Sequence, residues 1–78
     1  MKFEAKQSGI HAEITFNSVE LNQLFVDVVL KLAQEAGFTG DSGSRFANYG
    51  QGVVADKFTF SNEDAAAKFC ARVRALND

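Results

Sequence analysis

The chain has 78 residues, of which 46% are hydrophobic and 23% are charged, and its formal net charge is -2 at pH 7. This length predicts a single domain over residues 1–78, with a small core that buries only about 60% of the unfolded surface. The 8 basic and 10 acidic side chains argue against nucleic acid as the main partner, because phosphate binding depends on a basic surplus.

The cysteine count and the hydropathy pattern narrow the class further. One cysteine, Cys70, cannot form an internal disulfide or a zinc site built on several thiolates. No apolar run reaches the ~18 residues of a transmembrane helix, and the start of the chain lacks a signal-peptide pattern. We therefore expect a cytoplasmic protein that does not contact the membrane.

Two segments resemble each other at a distance of 44 residues along the chain. Thr15-Phe16 and Thr59-Phe60 are each followed by polar residues that suit a helix start. The likeness continues through the pairs Phe25 and Phe69, Val29 and Val73, and Leu32 and Leu76. The pattern predicts two pseudo-repeat units, residues 1–37 and 44–78, each made of a hairpin followed by a helix.

Alternation and capping residues place the elements in each unit. Apolar residues at every second position from Ile10 to Phe16 predict a strand with one buried side, and residues 2–7 precede it across a turn at Gly9. Asn17 with Glu20 three residues later predicts the start of the first helix, which ends at Gly37.

The second unit follows the same scheme. Residues 44–49 form its first strand, an alternating segment around Val54 and Phe58 forms the next, and the second helix begins at Ser61 and ends near Leu76. We predict an α+β fold, β-β-α-β-β-α, in which a four-stranded antiparallel sheet carries both helices on one face.

The first helix is more apolar than one sheet face requires. Its core stripe is predicted at Leu21, Leu24, Phe25, Val28 and Leu32, and the further residues Val26, Val29, Leu30 and Ala33 widen the apolar arc. Such a surplus predicts either an interface, as a homodimer through helix 18–36 or with another protein, or complete cover by the second helix and the loop.

The predicted interface residues come from the helix and from the loop after it. They are Val26, Leu30, Ala33, Asp41, Arg45 and Tyr49.

Two polar residues are candidates for chemistry. His11 shares a strand face with Glu13, which suits an acid-base pair, although an exposed polar face explains the same pattern. Asp56 falls on the apolar side of its strand, which predicts an edge, a bulge or a pocket, with Arg45 and Lys57 as candidate partners. Cys70 flanks the stripe of the second helix and is predicted to be a small buried residue.

The segment Phe58-Thr59-Phe60, followed by Ala66, Phe69 and Val73, resembles the pterin carbinolamine dehydratases. The resemblance implies a similar β-β-α-β-β-α order. The paired-histidine motif of that family would follow the first helix, where this chain has Gly37-Phe38-Thr39-Gly40. The resemblance therefore implies topology and transfers no activity.

These observations predict a non-catalytic protein-binding module that needs no cofactor and no metal. Its small size is typical of adaptors and inhibitors, including phage-borne inhibitors of host defence such as anti-CRISPR proteins. The alternative is a small enzyme or ligand-binding domain with a pocket near His11 and Asp56.

Overall fold

The computed structural model of the chain describes residues 3–39 and 52–77, and the backbone of residues 45–48. In chain order the elements are β1 (Glu4–Ser8), β2 (His11–Asn17), helix α1 (residues 18–36), β3 (Arg45–Asn48), β4 (Val53–Thr59) and helix α2 (Glu63–Ala75). The predicted α+β class, with an antiparallel sheet and two helices, is confirmed.

The sheet has the order β1-β2-β4-β3, and every neighbouring pair is antiparallel. Its two central strands pair along their whole length, from His11 opposite Thr59 to Asn17 opposite Val53. The predicted turn at Gly9 joins β1 to β2, but Ile10 belongs to this turn rather than to the buried strand side and is 37% exposed.

Both helices cover the same side of the sheet. Inward residues of β2 and β4 form one buried cluster with residues of the two helices: Ala12, Ile14, Phe16, Val54, Phe58, Phe25, Val29, Ala33, Ala66, Phe69, Cys70 and Val73. Phenylalanine rings run through this cluster in a chain of contacts, with centroid distances from 4.4 Å for Phe16 and Phe25 to 6.2 Å for Phe25 and Phe58.

The start of α1 is fixed by side chains and by a distant backbone group. The Oδ1 atom of Asn17 accepts hydrogen bonds from the backbone N–H groups of Val19 and Glu20, so the predicted cap is confirmed. The backbone N–H and the hydroxyl of Ser18 both donate to the carbonyl oxygen of Gly52, at 2.7 and 2.9 Å. These bonds tie the first turn of α1 to the start of β4.

The other predicted helix boundaries are partly corrected. Gly37 ends α1 in the left-handed conformation, with φ of 80°, as its sequence position predicts. The predicted start of α2 at Ser61 is wrong: the Oδ1 atom of Asn62 accepts a hydrogen bond from Ala65, and the helix begins at Glu63. Asn62 therefore has the capping role, one residue further along the chain.

Helix α1 contains a π-helical segment, Phe25–Val29, between the α-helical segments Ser18–Leu24 and Leu30–Ala36. The backbone N–H of Leu30 donates to the carbonyl oxygen of Phe25, five residues earlier. A single π turn adds one residue to the helix, so every core position after it moves forward by one residue.

This insertion corrects the predicted core stripe. Val29 and Ala33 are completely buried, where the sequence placed Val28 and Leu32 in the stripe. Leu24 is 39% exposed although it was predicted to be in the core. The predicted surplus therefore shrinks, because two of its members fill the core.

The predicted pseudo-repeat is not confirmed. The first half has a helix of three segments with a π turn, whereas the second has a regular α-helix, Glu63–Ala75. The two helix starts also differ in position, since the cap Asn17 is the last residue of β2 whereas the cap Asn62 lies three residues after β4 ends at Thr59.

The close contact between Gly52 and α1 gives a test of how the helix start is held. Gly52 has φ of +73°, and a Cβ atom there would lie 2.8 Å from Cγ2 of Val19. Gly9 has φ of +61°, and a Cβ atom there would meet nothing within 4 Å. We expect Gly9→Ala to lower the free energy of unfolding by about 1 kcal/mol through backbone strain alone, and Gly52→Ala to lower it by about 1 kcal/mol more.

The measurement is urea unfolding of both variants, each also made in a Val19→Ala background. Removing the Val19 methyl groups should lower the cost of Gly52→Ala toward that of Gly9→Ala, with a remainder from Oδ1 of Asn17, 3.3 Å from the same Cβ position. The cost of Gly9→Ala should be unchanged. Equal costs of the two glycine substitutions when Val19 is intact would show that the contact does not position the helix.

Candidate interaction surface

Three of the exposed large hydrophobic side chains lie in the first half of α1. Within the described part of the chain, Val19 is 82% exposed, Val26 is 43% exposed and Leu24 is 39% exposed. Ile10, in the β1–β2 turn, is the remaining one. Single exposed apolar residues are common on protein surfaces, but apolar residues that share one side of a helix mark an interaction site, so this part of α1 is the candidate interaction surface.

Helical spacing places two of these residues on one line. Val19 and Val26 are seven residues apart, which returns to the same side of a helix after two turns. Leu30 follows one turn later and is half-buried, with part of its side chain packed on the core. We call Val19, Val26 and Leu30 the α1 stripe. Leu24, five residues after Val19, falls on the other flank of the helix.

The α1 stripe is bordered by acidic and amide side chains. From residue 18 to residue 30 the only charged residues are Glu20 and Asp27, and both are exposed. The amide nitrogen of Gln23 donates to both carboxylate oxygens of Asp27, at 3.0 and 3.1 Å. This i, i+4 contact holds the Asp27 carboxylate in a fixed position on the helix surface.

The residues predicted for partner binding do not all reach this surface. Val26 is exposed and Leu30 is half-buried, whereas Ala33 is completely buried against the core because of the π segment. Asp41 and Tyr49 lie outside the described residues, and Arg45 is described by its backbone only. Sequence reasoning overlooked Val19, whose signal was a bulky apolar residue among the polar residues of a capping segment.

The two residues considered for chemistry lie on opposite faces of the sheet. His11 is on the outer face, where its Nδ1 atom lies 2.9 Å from the hydroxyl oxygen of Thr59. Asp56 is on the helix-covered face and is 5% exposed. In the backbone register Asp56 stands opposite Ile14 on β2 and Arg45 on β3. The structure therefore does not bring His11 and Asp56 into one pocket.

The outer face around His11 carries an open groove of about 240 Å³. Its lining residues are Lys6, Ser8, His11, Glu13 and Lys57. In the register Glu13 stands between Lys6 on β1 and Lys57 on β4, so opposite charges alternate across the strands. The groove therefore has mixed charge and places His11 on the same face as Glu13, as the strand alternation predicts.

A second groove, of about 280 Å³, lies where the end of α1 meets the start of α2. Its rim carries two exposed ion pairs, Lys68 with Asp64 at 3.1 Å and Arg72 with Glu35 at 3.5 Å. Pairs this exposed contribute little to stability, because water screens them. Phe69 and Ala36 form part of the floor.

Metal-binding clusters and membrane-spanning helices are both absent from residues 3–39, 45–48 and 52–77. In these ranges no three histidine, cysteine, aspartate or glutamate side chains stand close enough to hold a metal ion. The helices there also lack the length and apolar character needed to cross a bilayer.

Comparison with protein families, with curated proteins and with solved structures found no match to the chain.

The Cys70 thiol provides a test of whether the core below these surfaces is closed to solvent. Its side chain is completely buried, as predicted. Burial raises the pKa of the Cys70 thiol, and the Arg74 guanidinium offsets part of this increase. In alkaline solution the unfolded thiol ionises before the folded one, so the free energy of unfolding should fall as pH rises above the ordinary thiol pKa.

The measurement compares the chain with the Cys70→Ala variant by urea unfolding from neutral to alkaline pH. The difference in unfolding free energy between the two should shrink as pH rises, because the alanine side chain of the variant has no proton to lose. Reaction of native Cys70 with a disulfide reagent should also be slow and should accelerate with denaturant. A fast reaction without denaturant, or a difference independent of pH, would contradict the burial of this thiol.

Proposed function

We propose that this chain is a protein-binding module whose α1 stripe docks into an apolar groove of another protein. The observation that carries the proposal is the exposure of Val19 and Val26 on one side of a helix that the core holds firmly in place. A helix with apolar residues at i, i+7 and i+11 is a common form of peptide and domain recognition.

The charge pattern favours a different protein over a second copy. Glu20 and Asp27 border the stripe, and the one basic side chain beside it is the exposed Lys31, which follows Leu30 at its C-terminal end. Two copies that met through this face in parallel would bring carboxylates of like charge together, which is unfavourable. A partner with basic residues around an apolar groove complements the same surface.

Binding of a partner to the α1 stripe would bury a helix surface that hydrogen bonds already hold in place. Gln23 fixes the Asp27 carboxylate, and Asn17 and Gly52 fix the first turn of α1. A surface held in its bound conformation loses little conformational entropy on binding. Each valine that becomes fully buried should then contribute about 1–1.5 kcal/mol to the association.

The narrower form of the proposal is inhibition of a host defence complex, as phage-borne anti-CRISPR proteins do. Three features support this form: the small size of the chain, its net charge of -2 and the acidic residues beside the α1 stripe. Complexes that handle nucleic acids carry basic surfaces, which such a border complements. Restored phage plating on a host with an active defence system, when the chain is expressed, is the result that this form requires.

The partner can be found and the surface tested in the same experiment. A photo-crosslinking amino acid at position 26 should capture one protein in the native cells, and the same amino acid at position 10 should not capture it. The captured protein, once purified, is titrated with the chain and with the Val19→Ser/Val26→Ser variant. We expect the variant to bind at least tenfold more weakly.

Ile10→Ser is the matched control, because it removes an exposed apolar side chain at the opposite end of β2 from Val19. The three proteins should unfold at similar urea concentrations, since all the changed side chains are exposed. If Ile10→Ser weakens binding as much as the double valine variant does, the α1 stripe is not the contact. Self-association that is lost in the valine variant would instead assign the stripe to a homodimer.

A further inference from the structure

Strand β1 is one edge of the sheet, since the strand order of the described elements begins with it. Three backbone groups on this outer edge are nevertheless occupied, the N–H and carbonyl of Phe3 and the carbonyl of Ala5. The Oδ1 atom of Asn77 accepts from the N–H of Phe3 at 2.9 Å, and its Nδ2 atom donates to the carbonyl oxygen of Phe3 at 2.8 Å. The guanidinium of Arg74 donates to the carbonyl oxygen of Ala5 at 2.7 Å.

The Asn77 side chain takes the place of a neighbouring strand. In an antiparallel sheet, a hydrogen-bonded residue pair exchanges one N–H and one carbonyl bond in each direction. The amide of Asn77 makes both bonds to one residue, Phe3, and Arg74 satisfies the next outward carbonyl, on Ala5. We call these two side chains the edge cap.

The outward groups define which register a new strand would take. Because backbone direction alternates along a strand, Phe3, Ala5 and Gln7 present their N–H and carbonyl groups outward, while Glu4 and Lys6 bond to β2. A second β1 strand running antiparallel and centred on Ala5 would pair each outward residue with an outward residue. Phe3 would face Gln7 of the other copy, and Ala5 would face Ala5.

This register also pairs opposite charges. With Ala5 at the centre, Glu4 of each copy stands directly across from Lys6 of the other, on the outer side of the sheet. These positions are non-hydrogen-bonded pairs, in which facing side chains come closest. Two Glu–Lys pairs therefore form at once, and a shift of the register by two residues loses both.

We propose that the β1 edge is a pairing site for a second copy of this chain and that Arg74 and Asn77 keep it closed. The cap competes with the second copy for the same outward groups of Phe3 and Ala5. Its bonds form within one molecule, so they prevail at low concentration. Removing the cap leaves an unsatisfied, charge-complementary edge of the kind that sheets pair through.

The test uses the Arg74→Ala/Asn77→Ala variant of the full chain. Sedimentation equilibrium should show a dimer at micromolar concentration, with at least a tenfold lower dimer dissociation constant than the unmodified chain has. The control is Arg72→Ala/Asn22→Ala, which removes the same residue types from exposed helix positions. It should keep the oligomeric state of the unmodified chain. Circular dichroism checks that both variants are folded.

Exchanging the charges of Glu4 and Lys6 tests the register in the Arg74→Ala/Asn77→Ala variant, which we call the uncapped variant. Adding Glu4→Lys should weaken its dimer by about tenfold, because two lysines then face each other at both sites. Adding Lys6→Glu as well should restore the dimer. A folded uncapped variant that stays in the state of the control overturns the proposal, as does a dimer that Glu4→Lys leaves unchanged.

The result is independent of the α1 stripe, since the stripe and the β1 edge share no residue. The Val19→Ser/Val26→Ser change should leave the dimer of the uncapped variant intact. If that change abolishes the dimer, the pairing occurs through α1 and not through β1.

Discussion

Contact between phenylalanine rings is the constraint on which the structure depends. Rings from β2, β4 and both helices touch in sequence, from Phe3 and Phe16 through Phe25 and Phe58 to Phe69. A small chain has little interior volume, and large rigid side chains bury the most apolar area for each residue ordered. Because the rings belong to separate elements, neither helix can leave the sheet without opening the whole core.

The π segment reconciles this core with the apolar surface of α1. It turns Val29 and Ala33 inward, where they pack among the rings, and leaves Val26 outside. The same segment thus completes the core and carries Val26, the central residue of the α1 stripe. If the proposed function holds, stability and recognition are divided along one helix: its inner side packs on the sheet, and its outer side is exposed.

The sequence was sufficient where local rules decide the structure. Asn17 and Gly37 marked the ends of α1, and strand alternation correctly placed Asp56 on the covered face. The sequence was insufficient where the backbone departs from ideal helical periodicity, since the apolar stripe of α1 gives no sign of the π turn. It also could not show the edge cap, because Asn77 and Phe3 are 74 residues apart and only the assembled fold brings them together.

The hydrogen bonds between Phe3 and Asn77 also indicate how the chain can be circularly permuted. Because these residues are neighbours in space, a short peptide between them would close the backbone into a ring without distorting the sheet. The turn at Gly9 and Ile10, both exposed residues, would then be a suitable place for new ends. Such a circular permutant would have both helices internal to the polypeptide and would present the α1 stripe unchanged.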